Sequence, residues 1–237
     1  MTSRLIAAGA FGLALWTLSS VSTSGQAKRP MTLVDLAELP RIVNPQLSPN
    51  GQSIIYQQSH ADWKADRPVW NTWRRDLGGS ATQLTFSEGG DINPPGCLRW
   101  SPDGKTILFV RSSPAPQIWL LPADGGEPSA LTRHSTGVYP ATPPMWAPDS
   151  KSIYFVAEEP RTAAERDRDA ARDDVFAFEE NYRQRHIWNV VVSTGAERQI
   201  TSGDFNVNTY RLSHDGSRIA FERAPSPLIA DKPRAEV

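Results

Sequence analysis

Trp100-Ser101-Pro102-Asp103-Gly104-Lys105-Thr106-Ile107-Leu108-Phe109-Val110 is a tight turn feeding an apolar run, and its pattern returns three more times along the chain. The other turns are Leu47-Ser48-Pro49-Asn50-Gly51, Trp146-Ala147-Pro148-Asp149-Ser150 and Leu212-Ser213-His214-Asp215-Gly216. Behind them come Ser53-Ile54-Ile55-Tyr56, Ser152-Ile153-Tyr154-Phe155 and Arg218-Ile219-Ala220-Phe221. Asn-Gly and Asp-Gly tolerate the positive φ that such turns need. Proline ahead of them stops the preceding strand. Asp149-Ser150 lacks the glycine, so the third turn is expected to be the least ideal.

Each phrase has a second half. Trp73 leads through Gly78-Gly79 to Leu84-Thr85, Trp119 through Gly125-Gly126 to Leu131-Thr132, and Trp188 through Gly195 to Ile200-Thr201. The distances from Trp to the closing Thr are 12, 13 and 13 residues. One unit therefore reads strand, turn, strand, variable loop, Trp strand, glycine turn, closing strand. Four antiparallel strands repeated at intervals of tens of residues describe the blades of a β-propeller. The expected fold is all-β: about three complete four-stranded blades plus part of a fourth, with a helical insert in the third. In the fourth unit Glu236-Val237 aligns with Gln117-Ile118 and His186-Ile187, where the next residue is the Trp. The pattern thus predicts an incomplete propeller over residues 28–237.

The first residues predict an export signal over 1–27. Arg4 supplies the positive start, Leu5 to Trp16 an apolar run too short to span a bilayer, and Ser19 to Ala27 a small-residue cleavage region. Export implies a periplasmic or secreted protein, with no membrane contact after cleavage. The chain carries 25 basic and 26 acidic residues and shows no basic patch with interleaved aromatics, which argues against nucleic acid as a partner. Cys97 is the sole cysteine, so no intramolecular disulfide forms. It is expected as a buried thiol beside Trp100.

The turn-to-Trp spacing is 25 residues in the first unit, 18 in the second and 41 in the third. The third unit therefore holds the longest insert. Thr162 to Arg172 is charged, alanine-rich and free of Gly and Pro, with Thr162 and Glu165 spaced as a capping box. A helix is expected there. Val175, Phe178 and Tyr182 then mark an apolar face beside Glu179 and Glu180. Two readings of that pair stand side by side: it binds a cationic group such as a peptide amino terminus, or it is a solvated pair of helix charges near Arg183 and Arg185.

The remaining candidates have structural explanations. His60, His134, His186 and His214 show no metal-ligand spacing. Trp73, Trp100, Trp119, Trp146 and Trp188 recur at equivalent strand positions and are expected in the core, while Trp63 and Trp70 fall in the first unit's loop. Asp103, Asp149 and Asp215 sit where side-chain turns use aspartate. The chain has no Gly-x-Ser-x-Gly elbow, phosphate loop or paired metal motif. No catalytic residue and no cofactor is assigned.

Trp100 to Val110, followed by Gln117-Ile118-Trp119 and Asp124-Gly125-Gly126-Glu127, resembles the repeats of TolB-type propellers and of the N-terminal propellers of the prolyl oligopeptidase family. The stretch Asp173 to Trp188 resembles the blade insert of exported bacterial dipeptidyl aminopeptidase/acylaminoacyl peptidase-type members. Leu33 to Pro49 is similar to their propeller entry. The resemblance implies a substrate-gating propeller attached to a C-terminal α/β-hydrolase domain, whose Ser-Asp-His triad cleaves short peptides. That domain lies outside this sequence, so no triad residue can be placed. It also implies, from dipeptidyl peptidase IV-like members, that Glu179 and Glu180 hold the substrate amino terminus. The expected partners are a peptide substrate and the hydrolase domain. The rival expectation is a TolB-like periplasmic protein-binding propeller without catalytic activity.

Overall fold

The computed structural model describes residues 29–64, 66–86, 97–112, 114–173 and 182–237. The expected export signal and Glu179-Glu180 lie outside these residues.

Helix α1 (Leu33–Glu38) opens the described chain at the predicted entry phrase. Three four-stranded antiparallel sheets follow, each in simple sequential order. The first contains β1 (Ile42–Leu47), β2 (Ser53–Asp62), β3 (Arg67–Asp76) and β4 (Ala81–Gln83). The second contains β5 (Arg99–Trp100), β6 (Thr106–Arg111), β7 (Gln117–Pro122) and β8 (Ser129–Ala130). The third contains β9 (Met145–Trp146), β10 (Ser152–Glu158), β11 (Arg185–Val191) and β12 (Glu197–Gln199), with α2 (Ala163–Ala170) between β10 and β11. A two-stranded sheet of β13 (Asn206–Leu212) and β14 (Ile219–Ala224) completes the series. Beyond a 3-10 helix, Glu236 bridges Arg223, as Gln117 pairs with Arg111 in the second sheet.

The sheets pack face to face in chain order. Ile107 and Phe109 of β6, with Leu98 and Leu121, meet Ile55 and Leu84 of the first sheet. Their neighbours Leu108 and Val110 turn the other way, onto Ile153, Phe155 and Ala157 of β10. Val156 of β10 points back toward the fourth sheet, joining Ile187, Val207 and Tyr210. A strand covered on both faces must be apolar at every position, which explains the unbroken Ile-Leu-Phe-Val of β6. Strand β2 has one covered face and alternates buried and half-buried residues from Ser53 to Ser59. Fully burying each of these apolar side chains contributes roughly 1.5–3 kcal/mol.

The recurring turn phrase is a defined hydrogen-bonded unit. In the second sheet Ser101 Oγ donates to Asp103 Oδ1 (2.6 Å) and accepts from the Thr106 N–H (2.9 Å), while Asp103 Oδ1 also accepts from the Lys105 N–H (3.1 Å). Ser48 with Asn50, and Ser213 with Asp215, repeat this arrangement. The third turn keeps the aspartate bond, Asp149 Oδ1 accepting from the Lys151 N–H, but has Ala147 in place of the serine. It also forces Ser150 to φ 60°, as expected for the least ideal turn. Ser150 Oγ in turn accepts from the Asp103 N–H of the neighbouring turn (3.1 Å).

The closing threonines have an equally specific role. Where the last strand leaves each sheet, Thr85, Thr132 and Thr201 accept with Oγ1 from the backbone N–H of Thr72, Ile118 and Ile187 at 2.8, 2.9 and 2.9 Å. They pair the N–H groups that the short fourth strands leave behind.

Two expectations about tryptophan change. Of these five only Trp146 is buried; Trp100, Trp119 and Trp188 are half-buried but pack against the core clusters, and Trp73 is half-buried outside them. An indole at a core margin can keep its body apolar and its N–H near a polar partner, as Trp100 does, whereas the buried Trp188 Nε1 has no hydrogen-bond partner among the described residues. Trp100 Nε1 donates to the Gln46 carbonyl (3.2 Å), and the Arg111 guanidinium lies 4.4 Å over the Trp119 ring. The first unit's loop is instead a long hairpin, because β2 and β3 stay paired from Ser53–Asp76 out to Asp62–Arg67. Trp63 stands exposed beyond β2, its Nε1 donating to Glu38 Oε1 (3.2 Å), and Trp70 lies within β3.

Candidate functional site

The insert of the third sheet begins where β10 ends, at Glu158 and Glu159. Helix α2 forms for a local reason: Thr162 Oγ1 accepts from the Glu165 N–H (3.2 Å), and the Glu165 carboxylate accepts from the Thr162 N–H (2.6 Å). The Thr162 backbone N–H, followed by its side chain, holds the Glu165 carboxyl below the usual range. No residue of α2 is buried, so caps and charges rather than core packing define it.

At the base of the insert Glu158 is the hub. Strand register places it opposite Arg185. Its carboxylate lies 3.2 Å from Arg183 Nη2 and 3.8 Å from Arg185 Nε. The Arg185 guanidinium also sits 3.9 Å over the Tyr139 ring. Arg183 and Arg185 thus pair with a carboxylate more than twenty residues away, which their local spacing does not suggest. The adjacent Glu158-Glu159, at the end of an apolar strand, was the available signal.

Beside this hub Arg161, Arg166 and Arg183 line one cavity of about 450 Å3, together with Ser135, Thr136 and Pro160. Arg161 pairs with Asp169 at the far end of α2. Arg166 Nη1 donates to the Arg161 carbonyl (2.6 Å), and Thr136 Oγ1 donates to the Glu158 carbonyl (2.8 Å).

His186 is fully buried next to the hub, 3.2 Å from Glu159 Oε1 and edge-on to Phe205. Burial lowers its pKa, against the opposing pull of Glu159. His134 and His186 lie in separate contacts, and no group of three or more metal-ligating side chains occurs among the described residues. Cys97 is buried, and burial pushes its thiol up to about 11, which suits an inert packing residue. Asp103, Asp149 and Asp215 hold their turns as expected.

No family model matches the chain. A stretch of 114 residues, 47% of the chain, is 30% identical to the uncharacterized peptidase YuxL of Bacillus subtilis (strain 168), of which it covers 17%. The fold is similar to that of the apo AtxE2 isopeptidase, with a TM-score of 0.57 and 14% identity over 84% of this chain and 39% of that one. It is also similar to the acylaminoacyl peptidase of Pyrococcus horikoshii, with a TM-score of 0.52 and 16% identity over 80% of this chain and 31% of that one. The chain spans less than half the length of each of these proteins. The resemblance read from the repeats therefore holds: the chain is similar in sequence to a peptidase and in fold to the propeller parts of peptidases. No described helix is long and apolar enough to cross a membrane.

Proposed function

We propose that this chain is the substrate-gating propeller segment of an exported serine peptidase that cleaves short peptides. The observation that carries the reading is a 114-residue stretch similar in sequence to a peptidase, in a chain whose sheets stack in order. Sheets stacked in this way close into a propeller when the series is long enough, since each needs a neighbour on both faces. A propeller beside a catalytic domain selects by size: a narrow unfolded peptide passes and a folded protein does not. Acyl-enzyme chemistry then belongs to the hydrolase domain. In this reading residues 1–27 direct export, and Glu179 and Glu180 hold the substrate amino group.

The test is to purify the native protein from its source and assay it with short peptide p-nitroanilides and with a folded protein. Hydrolysis of the short substrates alone, blocked by a serine-directed fluorophosphonate, is the expected result. Alanine at Glu179 and Glu180 should reduce cleavage of free-amine peptides more than that of N-blocked ones. Absence of hydrolysis would transfer the chain to the TolB-like binding propellers.

A further inference from the structure

We propose that the arginine-lined pocket at the base of the insert is a subsite for a carboxylate of a short peptide, an assignment that rests on the peptide-gating reading. Three arginines from separate points of the chain line one cavity of about 450 Å3. Arg161 precedes the cap of α2, Arg166 lies within α2, and Arg183 leads into β11. The acidic partners of these arginines, Asp169 and Glu158, are not among the lining residues. Arg161 and Arg183 face the pocket with their own ion pairs already made, and Arg166 brings a positive charge that no described carboxylate neutralises.

The donors are not exhausted. A guanidinium carries five N–H groups in a planar fork. Arg161 gives Nη1 to Asp169, and Arg183 spends Nη2 on Glu158 and, at 3.5 Å, Nη1 on the Glu159 carbonyl. Arg166 gives Nη1 to a backbone carbonyl and has no ion-pair partner among the described residues. Forks of this kind match the two oxygens of a carboxylate. The hydroxyl at the wall narrows the ligand further. Thr136 Oγ1 spends its proton on the Glu158 carbonyl, so toward the cavity it can only accept. An acceptor beside a cationic cluster fits a donor next to an anionic group, as the amide N–H and carboxylate of a peptide are. The carboxylate is either the peptide's C-terminus or an acidic side chain.

Four peptides separate these sources: Ala-Ala-Gln and Ala-Ala-Glu, each as free acid and as C-terminal amide, titrated calorimetrically into the purified native protein after fluorophosphonate treatment. Peptides bearing a carboxylate should bind about tenfold more tightly than the Ala-Ala-Gln amide, which bears none, and added salt should narrow the difference. A gain with the free acid of Ala-Ala-Gln identifies the C-terminus; a gain with the amide of Ala-Ala-Glu identifies the side chain. Arg166→Gln, on a helix that buries nothing, should abolish the discrimination. Arg183→Lys, which keeps the charge and loses the fork, should weaken it. Equal binding of all four peptides, or discrimination that survives Arg166→Gln, overturns the subsite and leaves the gating reading standing. Binding of none of them also overturns the subsite alone, since selection by size needs no affinity for the peptide, and the gating reading stands or falls on the hydrolysis assay.

Discussion

His134 Nδ1 lies 2.7 Å from Glu197 Oε2, and this contact fastens the loop leaving the second sheet to the outer strand of the third. The histidine side chain is 4% exposed and the glutamate 19%. The ring stands edge-on to Trp188 at 4.5 Å, and the His134 N–H donates to Gln117 Oε1 (3.0 Å). Glu197 Oε1 also accepts from the Arg133 N–H (3.3 Å).

Glu197→Ala should therefore destabilise the chain by about 1–3 kcal/mol, because it leaves a buried imidazole nitrogen without its partner. Nε2 of the same ring already has none. Urea unfolding checks this, and a loss no larger than that of an exposed glutamate would contradict it.

The turns of neighbouring sheets touch. A Cβ at Gly216 would lie 2.9 Å from Pro148 Cδ, whereas one at Gly51 meets nothing within 4 Å, and both glycines have φ +71°. Gly51→Ala should lose about 1 kcal/mol from backbone strain alone. Gly216→Ala should lose more, since Pro148 has to shift. Equal midpoint shifts in denaturant would show that the contact between the turns carries no energy.

Ala147 stands where the other three turns have serine. Ala147→Ser should stabilise by about 1 kcal/mol, by supplying the hydroxyl that Ser101 uses to join its aspartate to the first N–H of the following strand. Ser101→Ala should cost a similar amount. Thermal or urea denaturation of the two variants gives shifts of opposite sign if the turn is the unit described.

The Ser213 hydroxyl, followed by the hydroxyl and N–H of Ser217, lowers the Asp215 carboxyl from 3.8 to about 2. A carboxyl whose pKa is depressed on folding adds stability that is fully present above 3.8 and disappears as pH falls through about 2. Asp215→Asn keeps the turn, since Asn50 holds the first one in the same way. The wild-type chain should be the more stable of the two at neutral pH, with the gap closing between about pH 4 and pH 2. A gap independent of pH would assign the difference to shape rather than charge.

Much of the architecture was legible in the residues. Ser-Pro-Asp-Gly followed by an apolar run specifies turn and strand through bonds spanning only a few residues. The capping box of α2 likewise lies within four consecutive positions, Thr162 to Glu165. Even stacking left a trace, in the contrast between the unbroken Ile-Leu-Phe-Val of β6 and the alternation of β2. The tryptophans were legible in part: a shared strand position turns Trp100, Trp119, Trp146 and Trp188 toward the core, whereas how deeply each is buried depends on what the next sheet places there.

The candidate site was largely illegible, because its members meet only through register and stacking. Glu158 reaches Arg183 and Arg185 because β10 and β11 pair in one particular alignment. Ser135 and Thr136 come from a different unit of the chain than the three arginines they join. Sequence alone determined the repeat, its turns, its strands and the insert helix, since turn chemistry and side-chain alternation act between near neighbours. Tertiary structure alone decided that Glu158 meets Arg183 and Arg185 and that three arginines share a cavity with Ser135 and Thr136, since those neighbours come together only after the strands have paired and the sheets have packed.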